Sequence, residues 1–252
     1  MAQEDFHAMA ASLPDPFRLL LRENATSTND ELRLLAEAGA REGQILLAEN
    51  QSAGRGRRGT AWFSSGGESL AFSILLRPQE PKALWPRLAL ASGLALAEAF
   101  GKIGVEALIK WPNDVWLQQR KVAGILVESG KDFVIIGIGI NVNTLKFPPE
   151  VALSATSLQL AAGQPFSRAD VLAAVIHQLP QRWAQIGNDF ETLLEGVRLR
   201  CALTGHHVSL QTSSGQKTGW IEGISPGGEL ILRTTEGLET LMQADEIRFM
   251  PL

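Results

Sequence analysis

VEALIKWPNDVWLQQRKVAGILVESGKDFVIIGIGI, residues 105–140, is the segment most informative about the fold. It contains three apolar runs with the length of β-strands: 105–111, 121–129 and 133–140. A Pro-Asn-Asp bend at 112–114 follows the first run, and a Gly-Lys-Asp turn at 130–132 joins the last two. Connections this short join antiparallel neighbours, so the stretch predicts an antiparallel β-meander.

The segments before the meander alternate between helical and strand-like patterns. Helices are predicted over 28–38 and 82–100, and strands are predicted over 45–49 and 70–76. The first helix opens on a capping box, Thr28-x-x-Glu31. An Arg/Gly-rich segment follows the first strand directly, so we predict that this segment is a loop.

The segments after the meander are a polar loop at 142–157, two helices and a second β-rich region. Ser167-x-x-Asp170 opens a helix that runs to about 186 with a kink at Pro180, and a further helix covers 188–200. Five short strand candidates then alternate with turns: 206–211, 217–223, 229–234, 238–242 and 246–249. This change of pattern predicts one domain over 1–203 and a small β-barrel over 204–252. The predicted class is α+β, with a mixed, largely antiparallel sheet and flanking helices.

Composition excludes several classes of protein. The 252 residues carry a formal net charge of −4 and a mean hydropathy of +0.03, which is typical of a chain that is neither disordered nor membrane-spanning. The single cysteine excludes an intrachain disulfide and a Cys-based metal site. The first residues include acidic side chains and lack the apolar core of a signal peptide, so a cytoplasmic location is predicted.

The segment Gly54-Arg55-Gly56-Arg57-Arg58-Gly59 is a basic exception in this acidic chain. Arginine forks bind carboxylates and phosphates, and glycine lets backbone N–H groups approach a ligand closely. The segment therefore predicts an anion-wrapping loop. A solvated basic loop and an RGG-type nucleic-acid segment are the alternatives. The absence of a Walker lysine excludes a P-loop.

Three further motifs carry residue types that suit a nucleotide or a reacting anion. The segment 110–114, Lys-Trp-Pro-Asn-Asp, offers an amide for a phosphate or ribose and a carboxylate for Mg²⁺ or proton abstraction, although a turn alone explains the same residues. Lys121 begins an apolar strand that Gly124 interrupts, an arrangement that suits a reacting oxyanion in a cleft. Gly137 and Gly139 clear one sheet face for a flat ring. The simpler alternatives are a solvent-facing lysine and a β-bulge.

Taken in order, these segments resemble the biotin–protein ligase family over about residues 22–200. The matching motifs are Ser27-Thr28-Asn29, Gln51 to Gly59, Trp62, Lys110 to Asp114, Lys121 to Glu128, and Gly137 to Asn141. The resemblance implies a class II synthetase-like catalytic core followed by an SH3-like barrel. It also implies a form without the DNA-binding domain that some members carry, because only 26 residues precede Ser27.

The resemblance implies a two-step reaction. Biotin and ATP, with Mg²⁺, would give biotinyl-5′-AMP and pyrophosphate, and a lysine of a biotin carboxyl carrier protein would then take the biotinyl group. No DNA partner and no membrane association are expected. The expected oligomeric state is a monomer or a weak homodimer.

Each matching position inherits an expected role from the resemblance. The expected catalytic residues are Lys121, Arg57 and Asp114, and Asp114 is also the expected metal contact. The expected biotin site comprises Ser27, Thr28, Asn29, Gln51, Gly54, Arg55, Gly56, Arg57, Lys121, Gly124 and Ile125. The expected nucleotide site comprises Arg57, Trp62, Asn113 and Asn141. For Ser27 and Thr28 helix capping is the simpler explanation. Deprotonation of the acceptor lysine by Asp114 is a hypothesis.

Two alternative functions stay open at the level of sequence. A lipoate or octanoate ligase would share the catalytic core, and a non-enzymatic nucleic-acid-binding module would use the basic loop alone. The Arg/Gly loop together with the 110–114 motif favours biotin. The net negative charge opposes the binding module.

Overall fold

A computed structural model describes residues 6–64 and 66–250. The helices are α1 (Phe6–Ala11), α2 (Thr28–Glu37), α3 (Arg87–Lys102), α4 (Leu158–Ala162), α5 (Arg168–Trp183) and α6 (Phe190–Leu199). The strands of the main sheet are β1 (Arg18–Ala25), β2 (Gln44–Gln51), β3 (Ser69–Leu76), β4 (Leu108–Lys110), β5 (Asp114–Leu117), β6 (Arg120–Ser129) and β7 (Val134–Asn141). The C-terminal strands are β8 (His207–Thr212), β9 (Gly215–Ile224), β10 (Leu230–Thr234), β11 (Gly237–Leu241) and β12 (Asp245–Phe249).

The main sheet has seven strands in the order β1-β2-β3-β7-β6-β5-β4. Strands β1 and β2 are parallel and the other neighbours are antiparallel, which confirms the predicted mixed, largely antiparallel sheet. The predicted three-strand meander was one strand short, because residues 114–117 turn back against β4 as a strand of their own. This strand is too short to stand out as an apolar run.

Helices cover both faces of the main sheet. The larger apolar core packs α3, α5 and α6 against one face, where Leu70, Phe72 and Ile74 of β3 point. A smaller core packs α2 against the other face through Leu32 and Leu75. Strand β3 is therefore buried almost throughout, and the polar Ser73 within it lies in the interior. Such a residue needs internal hydrogen-bond partners, which the candidate site supplies.

Most predicted elements are present with boundaries shifted by a few residues. Helix α5 begins after Ser167, whose Oγ accepts a hydrogen bond from the Asp170 N–H at 3.1 Å, as predicted, and Pro180 lies inside it. Besides β5, three of the described helices and strands were not predicted: α1, β1 and α4. Helices α1 and α4 have only six and five residues, too few for a clear helical period.

The C-terminal strands form a five-stranded antiparallel sheet in the order β11-β10-β9-β8-β12. All five predicted strands are present, while the SH3-like barrel and the boundary at 203/204 stay predictions. The sheet packs against the 110–114 hairpin, where Trp111 Nε1 donates to the Gly228 carbonyl oxygen at 2.9 Å. One wall of the cleft described below therefore comes from this sheet.

Within residues 6–64 and 66–250, none of the helices has both the length and the apolar character needed to cross a membrane.

Candidate active site

A cleft of about 370 Å³ opens between the main sheet and the C-terminal sheet. Most of the predicted site residues line it: Ser27, Thr28, Asn29, Gln51, Arg55, Gly56, Arg57, Trp62, Asn113, Asp114, Lys121, Gly124 and Ile125. They come from α2, the Arg/Gly loop, the β4–β5 hairpin and β6, which are far apart in sequence. The antiparallel order of the main sheet brings them together.

Two predicted site residues lie outside this lining. Asn141 is only 5% exposed, and its Nδ2 donates to the Thr156 carbonyl oxygen at 3.0 Å. Its amide is therefore engaged within the protein rather than turned to the cleft. The Gly54 carbonyl oxygen accepts from the Trp62 N–H at 2.9 Å, so Gly54 closes the base of the Arg/Gly loop.

The first turn of α2 forms a polar corner of the cleft. Thr28 donates to Gln51 Oε1 through both its backbone N–H, at 2.9 Å, and its hydroxyl, at 3.2 Å. The buried Ser73 hydroxyl lies 2.7 Å from Thr28 Oγ1 and 2.6 Å from Asn29 Oδ1. The expected capping box is wrong, because Ser27 holds the N-cap position and its side chain makes no capping hydrogen bond. Capping therefore does not explain these hydroxyls.

The two glycines of β7 make room for side chains of the site. A Cβ on Gly137 would lie 2.3 Å from Asn29 Oδ1, and a Cβ on Gly139 would lie 2.2 Å from Trp62 Cε2. Gly139 pairs with Gly124 of the neighbouring strand β6. A Cβ on Gly124 would also crowd the indole, at 3.2 Å from Trp62 Cζ3. The glycines clear the sheet face as predicted, and the indole of Trp62 occupies the space. Among residues 6–64 and 66–250, no hydrogen-bond partner reaches the buried Trp62 Nε1.

Lys121 and Asp114 form an ion pair on the floor of the cleft. Their Nζ and Oδ1 atoms are 2.7 Å apart, and the Lys121 ammonium lies 5.5 Å from the Trp62 ring centre. Lys110 is a second cation that lines the cleft, and it was not among the site residues predicted from the sequence. Burial lowers the pKa of Lys110, and the nearby Lys121 adds to the effect while Asp114 opposes it.

The loop arginines have different partners. Arg55 forms a forked ion pair with Asp30 of α2 and also lies 3.3 Å from Glu128 Oε1. Arg57 contacts the neutral Asn113 side chain at 3.4 Å. Arg58 forms an ion pair with Asp245 of β12, and Arg57 Nη2 lies 3.9 Å from the same carboxylate. Arg57, Arg58 and Asp245 together carry a net charge of +1, and this is the positive charge that the loop offers to a ligand.

Sequence reasoning missed residues in the cleft and one behind it. Ser73 is fully buried behind the cleft lining and carried a usable signal, because it is a hydroxyl between apolar neighbours in the middle of β3. No signal was recognised in the sequence for the cleft residues of the C-terminal sheet region, which are Gln211, Ala244, Asp245, Glu246 and Ile247. Their place in the cleft depends on how the second sheet packs on the first.

Residues 22–143 match the biotin/lipoate A/B protein ligase family. The chain is 34% identical over 236 residues to the bifunctional ligase/repressor BirA of Bacillus subtilis, covering 90% of this chain and 73% of that protein. It is 33% identical to the biotin–[acetyl-CoA-carboxylase] ligase of Paracoccus denitrificans, covering 87% of this chain and 95% of that protein. The solved biotin protein ligase of Aquifex aeolicus, in complex with biotin and ATP, superposes with a TM-score of 0.84 at 33% identity, covering 92% of this chain and 99% of that one.

Proposed function

Because the chain belongs to the biotin protein ligases of the biotin/lipoate A/B protein ligase family, we propose that it is an ATP-dependent ligase that activates biotin and transfers it to a lysine of a carrier protein. The observation that carries this function is that the polar corner, the Arg/Gly loop and the Lys121–Asp114 pair line the same cleft. The chemistry of each part follows from its geometry.

In the first step, a carboxylate oxygen of biotin attacks the α-phosphorus of ATP. The new bond gives biotinyl-5′-AMP, and pyrophosphate leaves with the electrons of the broken P–O bond. Two anions must meet, and negative charge grows on the phosphorus oxygens. Lys121 is held by Asp114 on the cleft floor, so its ammonium is already in place for this charge. Arg57 brings a second cation from the loop above.

The polar corner suits the cyclic urea of biotin, which offers one carbonyl acceptor and two N–H donors. Thr28, Asn29 and Gln51 carry hydroxyl and amide groups that face the cleft. Their mutual hydrogen bonds, joined by Ser73, hold these groups in one arrangement before a ligand arrives. Preorganised polar groups bind with less loss of entropy.

The nucleotide side of the cleft is the region of Trp62 and Asn113. The indole rests on the Gly124–Gly139 pair and can stack on a purine base. Asn113 Nδ2 donates to the Ile125 carbonyl oxygen at 2.7 Å, which fixes the amide and leaves its oxygen toward Arg57. The contact between Arg57 and Asn113 thus joins the Arg/Gly loop to the β4–β5 hairpin at the place where the phosphates of ATP would lie.

Mg²⁺ fits this site as a part of the nucleotide substrate. Among the described residues, no three His, Cys, Asp or Glu side chains come together to hold a metal ion. Asp114 is a carboxylate on the cleft floor, and one protein carboxylate with phosphate oxygens and water is a usual set for Mg²⁺. When bound, the ion would neutralise phosphate charge, and Asp114 would be its contact on the protein.

In the second step, the amine of the acceptor lysine attacks the acyl carbon of biotinyl-AMP. An amide bond forms, AMP leaves, and the amine loses a proton. The acceptor is a biotin carboxyl carrier domain of the acetyl-CoA carboxylase type. Asp114 is the carboxylate that we propose for the proton transfer, and its ion pair with Lys121 must loosen for that role.

Labelling of a carrier domain tests the function directly. With ATP and biotin present, we expect the carrier lysine to be biotinylated and pyrophosphate to be released in proportion to biotin. The same assay with lipoate or octanoate is the matched comparison. Pyrophosphate release that depends on lipoate and not on biotin would overturn the proposal. Tight, salt-dependent DNA binding without pyrophosphate release would favour a binding module instead.

The Gly137→Ala variant should weaken biotin binding selectively. The new Cβ would displace Asn29, whose Oδ1 lies 2.3 Å from its position, and one hydrogen bond to biotin would be lost. We expect KM for biotin to rise roughly fivefold to tenfold, the value of about one hydrogen bond, with KM for ATP nearly unchanged. Gly101→Ala is the control, because a Cβ at this helical position would meet no atom of the described residues within 4 Å. Equal rises in both KM values would argue against this role.

The Arg57→Gly variant should release biotinyl-AMP from the cleft. Arg57 is a loop cation facing the cleft, and losing a charge-assisted hydrogen bond to the adenylate should speed its escape by about tenfold or more. Lysines of unrelated proteins would then be labelled by the free adenylate. Arg41→Ala, an exposed position outside the cleft, should label only the carrier. If Arg57→Gly also labels only the carrier, the loop does not retain the intermediate.

A further inference from the structure

The guanidinium of Arg55 is occupied by protein carboxylates. Its two terminal nitrogens bind the two oxygens of Asp30, and one of them also lies 3.3 Å from Glu128 Oε1. The hydrogen bonds from Arg55 hold the pKa of Asp30 below its usual range. The three side chains together carry a net charge of −1. An incoming biotin carboxylate would therefore be repelled here rather than attracted.

A chain of hydrogen bonds runs from Arg55 to the polar corner. Glu128 Oε2 accepts from Asn29 Nδ2 at 2.6 Å, and Asn29 Oδ1 accepts from the Ser73 hydroxyl at 2.6 Å. With both ends of the Asn29 amide engaged, its orientation is fixed. Arg55 is the cation that holds Glu128 beside this amide.

We propose that Arg55 is a positioning residue for the activation of biotin, not a contact of the substrate carboxylate. It ties the Arg/Gly loop to α2 through Asp30 and to β6 through Glu128. Through Glu128 it keeps the Asn29 amide turned for the cyclic urea of biotin. This inference rests on the proposed function and adds to it a role for Asp30 and Glu128.

The pair Arg55→Gln and Asp30→Asn tests the inference. Asp30 is a half-exposed helical residue, so its isosteric change should leave the fold intact. We expect each variant to raise the calorimetric Kd and the KM for biotin by about tenfold, with kcat and KM for ATP within about twofold of wild type. The double variant should be no worse than either single one, because both remove the same ion pair. Asp30→Glu should restore most of the affinity.

Loop protection is an independent measurement. Asp30→Asn keeps every arginine of the loop, so faster trypsin cleavage after Arg57 or Arg58, at an unchanged melting temperature, would report a released loop. Asp15→Asn, which breaks the exposed ion pair with Arg18 outside the cleft, is the matched control and should change none of these values.

Two results would overturn the inference. If Arg55 bound the biotin carboxylate, Asp30→Asn would free it and would keep or improve biotin affinity, while Arg55→Gln alone would lose affinity. Additive losses in the double variant would likewise exclude a shared ion pair. Failure of the proposed function is distinct: a wild-type protein that binds biotin but releases no pyrophosphate overturns the reaction, and the Kd comparison still decides the role of Arg55.

Discussion

Replacing Lys121 with alanine should lower the rate of biotin-dependent adenylate formation by about 10²- to 10³-fold, the usual effect of removing one preorganised group that stabilises developing charge. The Lys121 ammonium is held 2.7 Å from Asp114 Oδ1 on the cleft floor, where the carboxylate and the α-phosphate must meet. Because charge grows on the phosphorus oxygens only as the reaction proceeds, biotin binding should weaken by less than about fivefold.

ATP–pyrophosphate exchange measures the rate, and calorimetry measures the binding of biotin. Lys121→Arg keeps the positive charge and should retain part of the activity. Lys131→Ala removes a lysine from the exposed turn between β6 and β7 and should behave as wild type. Equal losses of rate and of biotin affinity in Lys121→Ala would contradict a role in the transition state.

Replacing Gly139 with alanine should raise KM for ATP by about 10- to 100-fold, the value of one base stacked on an aromatic ring. The new Cβ would lie 2.2 Å from Trp62 Cε2, well inside van der Waals contact. Strand β7 is hydrogen-bonded to β3 and to β6, so its backbone is held in place and the indole of Trp62 must move instead. The displaced ring would then stand where the purine stacks.

Gly124→Ala is an internal comparison for this effect. A Cβ at Gly124 would lie 3.2 Å from Trp62 Cζ3, so a small movement of the ring relieves the contact and a smaller rise in KM for ATP is expected. The same Cβ would lie 3.0 Å from Lys121 Cε and Nζ, so the two variants are compared by KM for ATP and not by kcat. Biotin KM should change little in Gly139→Ala, in contrast to Gly137→Ala on the same strand. An unchanged KM for ATP in a folded Gly139→Ala protein would show that the position of the Trp62 indole does not affect nucleotide binding.

Much of the fold followed from local patterns. The strand run 133–140 and the helix opened by Ser167 have the length and periodicity that make an element recognisable on its own. The strand 114–117 escaped recognition because its four residues follow a turn and include only three apolar ones. The edge strand β1 has a mostly exposed or half-exposed pattern, so no strong alternation marks it.

The candidate site was partly predictable for a different reason. Gly139 and Lys121 carry chemistry that is unusual within an apolar strand, so they stood out before any contact was known. Asn141 shows the limit of this reasoning, because an amide at the end of a strand can donate equally well to a ligand or to a backbone carbonyl. In the folded protein, its Nδ2 donates to the Thr156 carbonyl oxygen.

Most helices and strands, the separate C-terminal β-region and most residue types that reach the cleft could be predicted from the sequence, since periodicity, turn chemistry and unusual residues are local properties. The partner of each charge could be identified only in the folded protein. Arg55 and Arg57 are two residues apart in one loop, yet Arg55 is paired closely with Asp30 and Glu128, while Arg57 contacts the neutral Asn113 and lies 3.9 Å from Asp245. Coulomb interactions depend on distances in space, and the folding of α2, β6 and β12 around the loop sets those distances.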